Sequence, residues 1–176
     1  MKSKKVNFFQ LRLKKESIKK KIIIAKKILK ICKKNKVKLI INDDPNLALK
    51  VNAHGCHLGQ KDMNIFDARK ILKNKIIGVT CHNSIKLSKI ALSGGADYIA
   101  LGAFFKTKTK KVTHKANIKS LIKIKKLINL PVVVIGGIND KNYKKLLLNK
   151  ADFLAISGYI WNNKKFKPHQ AIKKLI

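Results

Sequence analysis

The 176-residue chain carries 42 basic against 8 acidic residues, a formal charge of +34, and 45% of it is hydrophobic. That apolar share excludes a disordered tail, and a chain this long buries roughly 70% of the surface its unfolded form exposes. The basic excess names no specific nucleic-acid partner. Arg12 and Arg69 are the only arginines, and the lysines spread over every predicted helix instead of gathering in one stripe. No run approaches the ~18 apolar residues of a membrane span. Cys32, Cys56 and Cys81 are too few and too scattered for a disulfide scaffold. The N-terminus is basic but is followed by no cleavage site, so a soluble, cytoplasmic protein without membrane attachment is expected.

In chain order, Val6–Arg12 reads as a first strand. Period-two alternation puts Gln10, Arg12 and Lys14 on one side at its C-terminal end. Ser17 to about Lys34 has helical spacing, with apolar residues at 18, 22, 24, 28, 29, 31 and 32 and Cys32 in the buried stripe. Val37–Asn42 is the second strand, followed by Asp43; Asp44-Pro45 then reads as an N-cap with proline at the first helical position. Gly55–Gly59 is the third strand and leads to Gln60-Lys61-Asp62. Ile76–Thr80 is the fourth, running on to Cys81-His82, after which Asn83 is expected to cap a helix over Ser84–Ser93 that stops at Gly94-Gly95. Tyr98–Gly102 is the fifth strand and precedes a loop with Thr107, Thr109 and Lys110. Pro131–Gly136 contains the continuous apolar run of a strand buried on both faces and ends at Gly136-Gly137. Asn139 opens the next helix. Phe153–Ser157 is the seventh strand, and Ser157-Gly158 opens a short helix.

Strands alternating with helices build parallel sheets with right-handed crossovers. An internal echo begins at Ala53, Ala96 and Ala151: a small residue, a polar one, then an apolar strand ending in Gly or Ser. No glycine-rich dinucleotide turn follows the first strand. The fold class expected is α/β, a TIM-type (β/α) barrel in a single domain over 1–176. It has seven strands where a full barrel has eight in ~250 residues.

The out-of-place polar residues fall at the C-terminal strand ends, where such barrels place their active sites. Asp43 and Asp62 lie at neighbouring ends and can share Mg²⁺, which takes few carboxylates and leaves positions for phosphate oxygens and water. Capping accounts for Asp44, and Asp97 and Asp152 precede strands at the opposite face as structural residues. Arg12, Lys14 and Lys110 surround the metal with positive charge. Gln10, Asn42, Thr80, Thr107 and Thr109 supply amides and hydroxyls. Gly136-Gly137 exposes backbone N–H groups, and with Ser157-Gly158 it can hold a second anion. His54, Cys56 and His57 point to alternate faces and make a poor soft-metal site; His57 reads as packed or hydrogen-bonded. Cys81 and His82 point in opposite directions, which argues against a nucleophile pair. Such a site suits the joining or rearrangement of two phosphorylated small molecules.

Seven segments together resemble the thiamine phosphate synthase family: Phe9–Lys14, Ile41–Leu49, His57–Asp62, Gly78–His82, Ala96–Lys110, Val134–Ile138 and Ile156-Ser157. They occur in family order across nearly the whole chain. The resemblance implies transfer between hydroxymethylpyrimidine diphosphate and a thiazole phosphate, plain or carboxylated, releasing pyrophosphate. It implies that Gln10, Arg12, Lys14, Asn42 and Lys110 hold the diphosphate, that Asp43 and Asp62 bind Mg²⁺, and that Thr80 stands where serine is common. Thr107 and Thr109 then contact the thiazole phosphate, whose phosphate falls to Gly137, Ile156 and Ser157 with Gly136 assisting. The sequence departs from the family in lacking its first βα unit, in Ala103 where proline is usual, and in Leu13 where glutamate is common. A related thiazole tautomerase and a non-catalytic phosphate- or RNA-binding barrel fragment are the other readings considered, and homo-oligomer formation is left open.

Overall fold

The computed structural model describes residues 6–107 and 114–175. Its elements are β1 (Phe8–Leu11), α1 (Ile18–Lys34), β2 (Lys38–Asn42), α2 (Pro45–Lys50), β3 (Gly55–Leu58), α3 (Ile65–Leu72), β4 (Ile76–His82) and α4 (Ile85–Ser93). They continue with β5 (Tyr98–Gly102), α5 (Ile118–Leu127), β6 (Val132–Ile135), α6 (Tyr143–Leu148), β7 (Phe153–Ala155), α7 (Gly158–Trp161) and α8 (Pro168–Lys173). All seven expected strands form. No helix among the described residues is long and apolar enough to cross a membrane. Two compact units divide the chain, Met1–Thr80 with Ser93–Asp97, and Cys81–Leu92 with Tyr98–Ile176.

In the first unit β1, β2 and β3 pair in parallel and in chain order, and β3 pairs with the start of β4. Leu39, Ile40 and Ile41 are all buried, as a strand covered on both faces requires. Helix α1 begins where Ser17 accepts the Lys20 N–H, and it turns Ala25, Leu29 and Cys32 inward against β2. Asp44 caps α2 as expected, accepting the Leu47 N–H at 2.8 Å with Pro45 at the first position. At α4 the cap differs from expectation: Ser84 accepts the Leu87 N–H at 3.2 Å, while Asn83 donates to the Lys115 carbonyl. Starting the helix one residue later frees Asn83 to tie down a neighbouring loop.

In the second unit β5, β6 and β7 are parallel, with Ile99 beside Val132 and Val133 beside Phe153. Helix α6 starts at Tyr143, four residues later than Asn139 suggested. The Asn139 N–H instead donates to Asn142, and the Asn139 side chain accepts from the Lys141 N–H, so the pair closes a turn ahead of the helix.

The sequence echo has one structural meaning. His54, Asp97 and Asp152 each follow an alanine and immediately precede a strand. Each accepts the N–H at the start of an earlier strand: Leu39 to His54 Nδ1 at 3.0 Å, Ile77 to Asp97 at 2.8 Å, Val132 to Asp152 at 2.7 Å. Their own backbone N–H groups return the bond to the carbonyls of Leu39, Ile77 and Val132. Arg69 and Lys125 neutralise the two aspartates at 2.6 and 2.7 Å. The histidine version works only as neutral imidazole. Burial, then the charges of Lys33, Lys38 and Lys75, hold its pKa below the ordinary value. A depressed histidine contributes stability that is whole above about pH 6.5 and lost as pH falls through the folded value. Calorimetry at pH 7 and pH 5 is therefore expected to show a fall in Tm of which about 2–4 °C, the equivalent of about 1 kcal/mol for one hydrogen bond, is absent in His54→Asp.

Candidate active site

The first unit gathers its polar residues at the C-terminal strand ends. Gln10 on β1 donates to the Asn42 side chain at the end of β2. Hydrogen-bonded strand ends at Leu11, so Arg12 and Lys14 stand beyond it, yet both line one cavity of about 440 Å³ with Asn42, Asp43 and Asp44. Asp43 sits at φ +69°, a left-handed turn that aspartate tolerates better than most residues, and its N–H donates to the His57 carbonyl at 2.8 Å. Asp62 accepts the Gly59 N–H at 2.7 Å, which fixes its side chain.

The carboxyl groups of Asp43 and Asp62 lie near enough to influence each other's ionisation. Burial, then the neighbouring Asp62 carboxyl, push the Asp43 carboxyl above the usual range, while Arg12 and Lys14 pull it down. Two neighbouring carboxyls are a donor set suited to a hard divalent cation with open positions for oxygen ligands. No group of three or more His, Cys, Asp or Glu among the described residues could hold a metal, so a softer, fully enclosed site has no candidates there. Asp44 is spent on its cap.

Thr80 lies on β4 in the same unit. Its hydroxyl is 2.8 Å from Nε2 of the buried His57, and its carbonyl accepts from Gln60. His57 is thus hydrogen-bonded as expected, and Gln60 holds the strand end from the other side. Burial pushes the Cys56 and Cys81 thiols up to about 12, so neither is poised as a nucleophile.

In the second unit β6 runs into Gly136 at φ +105° and Gly137 at φ +64°. The loop after β5 follows this turn closely, Phe104 donating to the Ile135 carbonyl and Phe105 to that of Gly136. Thr107 is half-buried at the end of this stretch; Thr109 and Lys110 lie outside the described residues. Ile135 pairs in register with Ala155, so the Gly136-Gly137 turn and Ile156-Ser157 leave the ends of adjacent strands. Ser157 starts α7 with no side-chain capping bond, and its carbonyl accepts the Ile160 and Trp161 N–H groups.

Lys21, Asn46 and Met63 also line the first unit's cavity and were not expected there. The spacing of α1 carried a signal for Lys21, because 21, 25, 29 and 32 form one helical stripe. A count of apolar residues alone passes over it. Nothing in the local sequence marks Asn46 or Met63.

Parallel strands with helices between them, and polar and charged groups gathered at the strand ends, define a (β/α) protein of the class that places its active site there. Residues 1–160 match the family described as Thiamine monophosphate synthase. The chain is 69% identical over 173 residues to the thiamine-phosphate synthase of Pelagibacter ubique (strain HTCC1062), covering 98% of this chain and 84% of that one. It is 42% identical over 159 residues to the thiamine-phosphate synthase of Clostridium tetani, covering 90% and 76%. Its structure resembles thiamine phosphate pyrophosphorylase from Pyrococcus furiosus, with a TM-score of 0.88 at 28% identity over 96% of this chain and 80% of that one. The chain belongs to the thiamine monophosphate synthase family, and its fold is of the TIM-type (β/α)-barrel class.

Proposed function

We propose that this chain condenses hydroxymethylpyrimidine diphosphate with thiazole phosphate, or its carboxylated form, into thiamine phosphate and pyrophosphate in the cytoplasm. The observation that carries the reading is a cavity lined by Arg12, Lys14 and Asp43, with the Asp62 carboxyl neighbouring that of Asp43. Three free, buried thiols fit a reducing compartment.

Arg12 and Lys14, with Lys110, take the diphosphate, and the Gln10–Asn42 pair sets its approach. The bond between the pyrimidine methylene carbon and the diphosphate oxygen breaks with its electron pair leaving on pyrophosphate. The thiazole nitrogen then donates its lone pair to the carbon. Negative charge grows on the leaving oxygens, and fixed cations aimed there stabilise the transition state more than the ground state. Asp43 and Asp62 would hold Mg²⁺, which supplies further charge to the leaving group when bound. The Thr80 hydroxyl, oriented by His57, faces the reacting end. Thr107 and Thr109 meet the thiazole phosphate, whose phosphate is received by the backbone at Gly136, Gly137, Ile156 and Ser157.

Purified chain given both phosphorylated substrates is expected to form thiamine phosphate and pyrophosphate in equal amounts, and only with Mg²⁺ present. Isomerisation of the thiazole carboxylate without pyrimidine would replace this reading with the tautomerase. A folded chain that makes no product and binds RNA with steep salt dependence would replace it with the charged fragment.

A further inference from the structure

Helix α1 carries lysines along its whole length, and those at 19, 20, 26, 27, 30, 33 and 34 are exposed; Lys21 alone is half-buried. The inward stripe of the helix, read back from Cys32 through Leu29 and Ala25, reaches position 21 one turn earlier. A cation therefore stands where the pattern calls for an apolar residue, and that position opens on the cavity shared with Arg12, Lys14 and Asp43. Lys21 also borders a smaller adjoining space with the apolar Leu11, Leu13, Ile41 and Leu47 and the polar Asn42 and Asp44. Those surroundings suit its four-carbon stem and leave the ammonium to the polar wall. Lys20 beside it pairs with Glu16 at 2.7 Å, but no acidic group pairs with Lys21 among the described residues.

We propose that Lys21 is a further substrate-binding residue of this chain, reaching from α1 to the terminal phosphate of the pyrimidine diphosphate and of the pyrophosphate product. The inference rests on the synthase reading given above. Burying part of a lysine costs free energy that an ordinary helix position never incurs, and an anion in the cavity offsets it. A contact to the terminal phosphate persists from bound substrate to product. It strengthens binding at every stage without favouring the transition state.

The test is calorimetric titration of inorganic pyrophosphate with Mg²⁺ into the wild-type chain and the variants Lys21→Met, Lys21→Arg, Lys19→Met and Arg12→Ala, paired with steady-state kinetics. Lys21→Met is expected to weaken pyrophosphate binding about tenfold and to raise KM for the pyrimidine diphosphate equally, with kcat within about twofold. Lys21→Arg is expected to recover most of the loss. Lys19→Met removes the same charge from the exposed face and is expected to change neither. Methionine suits the inward stripe, so urea unfolding is expected to show Lys21→Met folded. Lys21→Met binding as tightly as Lys19→Met, while Arg12→Ala binds weakly, would overturn the role of Lys21 and leave the synthase reading standing. Wild-type chain that takes up no pyrophosphate would overturn both.

Discussion

Asp43→Asn is expected to lower Mg²⁺-dependent kcat/KM by about a thousandfold, a loss of about 4 kcal/mol in transition-state stabilisation. Asparagine keeps the shape of the side chain and adopts the left-handed backbone at φ +69° as readily as aspartate, so the turn after β2 survives. The cap of α2 is untouched, because Asp44 makes it. What disappears is the ionisable carboxyl that lines the cavity beside Asp62. The change also removes the electrostatic cost of holding two carboxyls near each other without a cation, so the metal-free variant is expected to melt no lower than the wild type. Asp44→Asn, which can still cap, serves as the neighbouring control and is expected to stay within a few-fold of wild type. Steady-state rates across a Mg²⁺ titration decide the matter: turnover by Asp43→Asn within tenfold of wild type would remove Asp43 from the metal site.

Gly137→Ala is expected to raise KM for the thiazole phosphate about fiftyfold while leaving pyrophosphate binding at the first unit unchanged. A Cβ on this residue would lie 2.4 Å from the Lys106 carbonyl oxygen and 2.8 Å from Cβ of Phe105. Both are parts of a neighbouring backbone run, not the tip of a flexible side chain, so the loop itself must move. The backbone at φ +64° adds a penalty of roughly 1 kcal/mol for any residue with a Cβ. Relief comes from shifting the turn, the 105–107 loop, or both, and each carries groups assigned to the thiazole phosphate. Separate titration of the two substrates distinguishes this from general unfolding, which would damage both sites. An unchanged thiazole KM would mean that the turn does not hold the phosphate.

The two aspartates at 43 and 44 show how much of this was readable in sequence. The Asp44 cap followed from Pro45, since proline at the first helical position fixes which residue precedes it, and that left Asp43 free for another role. The strands were legible because runs such as Val132–Ile135 have no other plausible use. Helix starts were less so. Both Asn83 and Ser84 can cap, and the choice went to the residue that left Asn83 a distant carbonyl to bind, which no local window contains. Asn139 misled because an asparagine that closes a turn looks the same in sequence as one that caps a helix. The echo at 53, 96 and 151 was visible as a pattern but not as a purpose, because each acceptor's partner lies on another strand. Strand-end logic set Asp43 and Asp62 side by side; the raised Asp43 pKa and its causes needed coordinates.

The His54, Asp97 and Asp152 bonds all lie where strands begin, and the groups assigned to chemistry lie where strands finish. Within each unit, strand register is thus secured where strands begin, apart from the strand ends to which substrate recognition is assigned. The two can be edited separately. A library that randomised residues around Gln10, Asn42, Thr80 and Ser157 would sample new ligands on a frame whose alignment those residues do not set. Changes that remove the acceptor at any of the three would instead be felt as lost stability whatever the substrate.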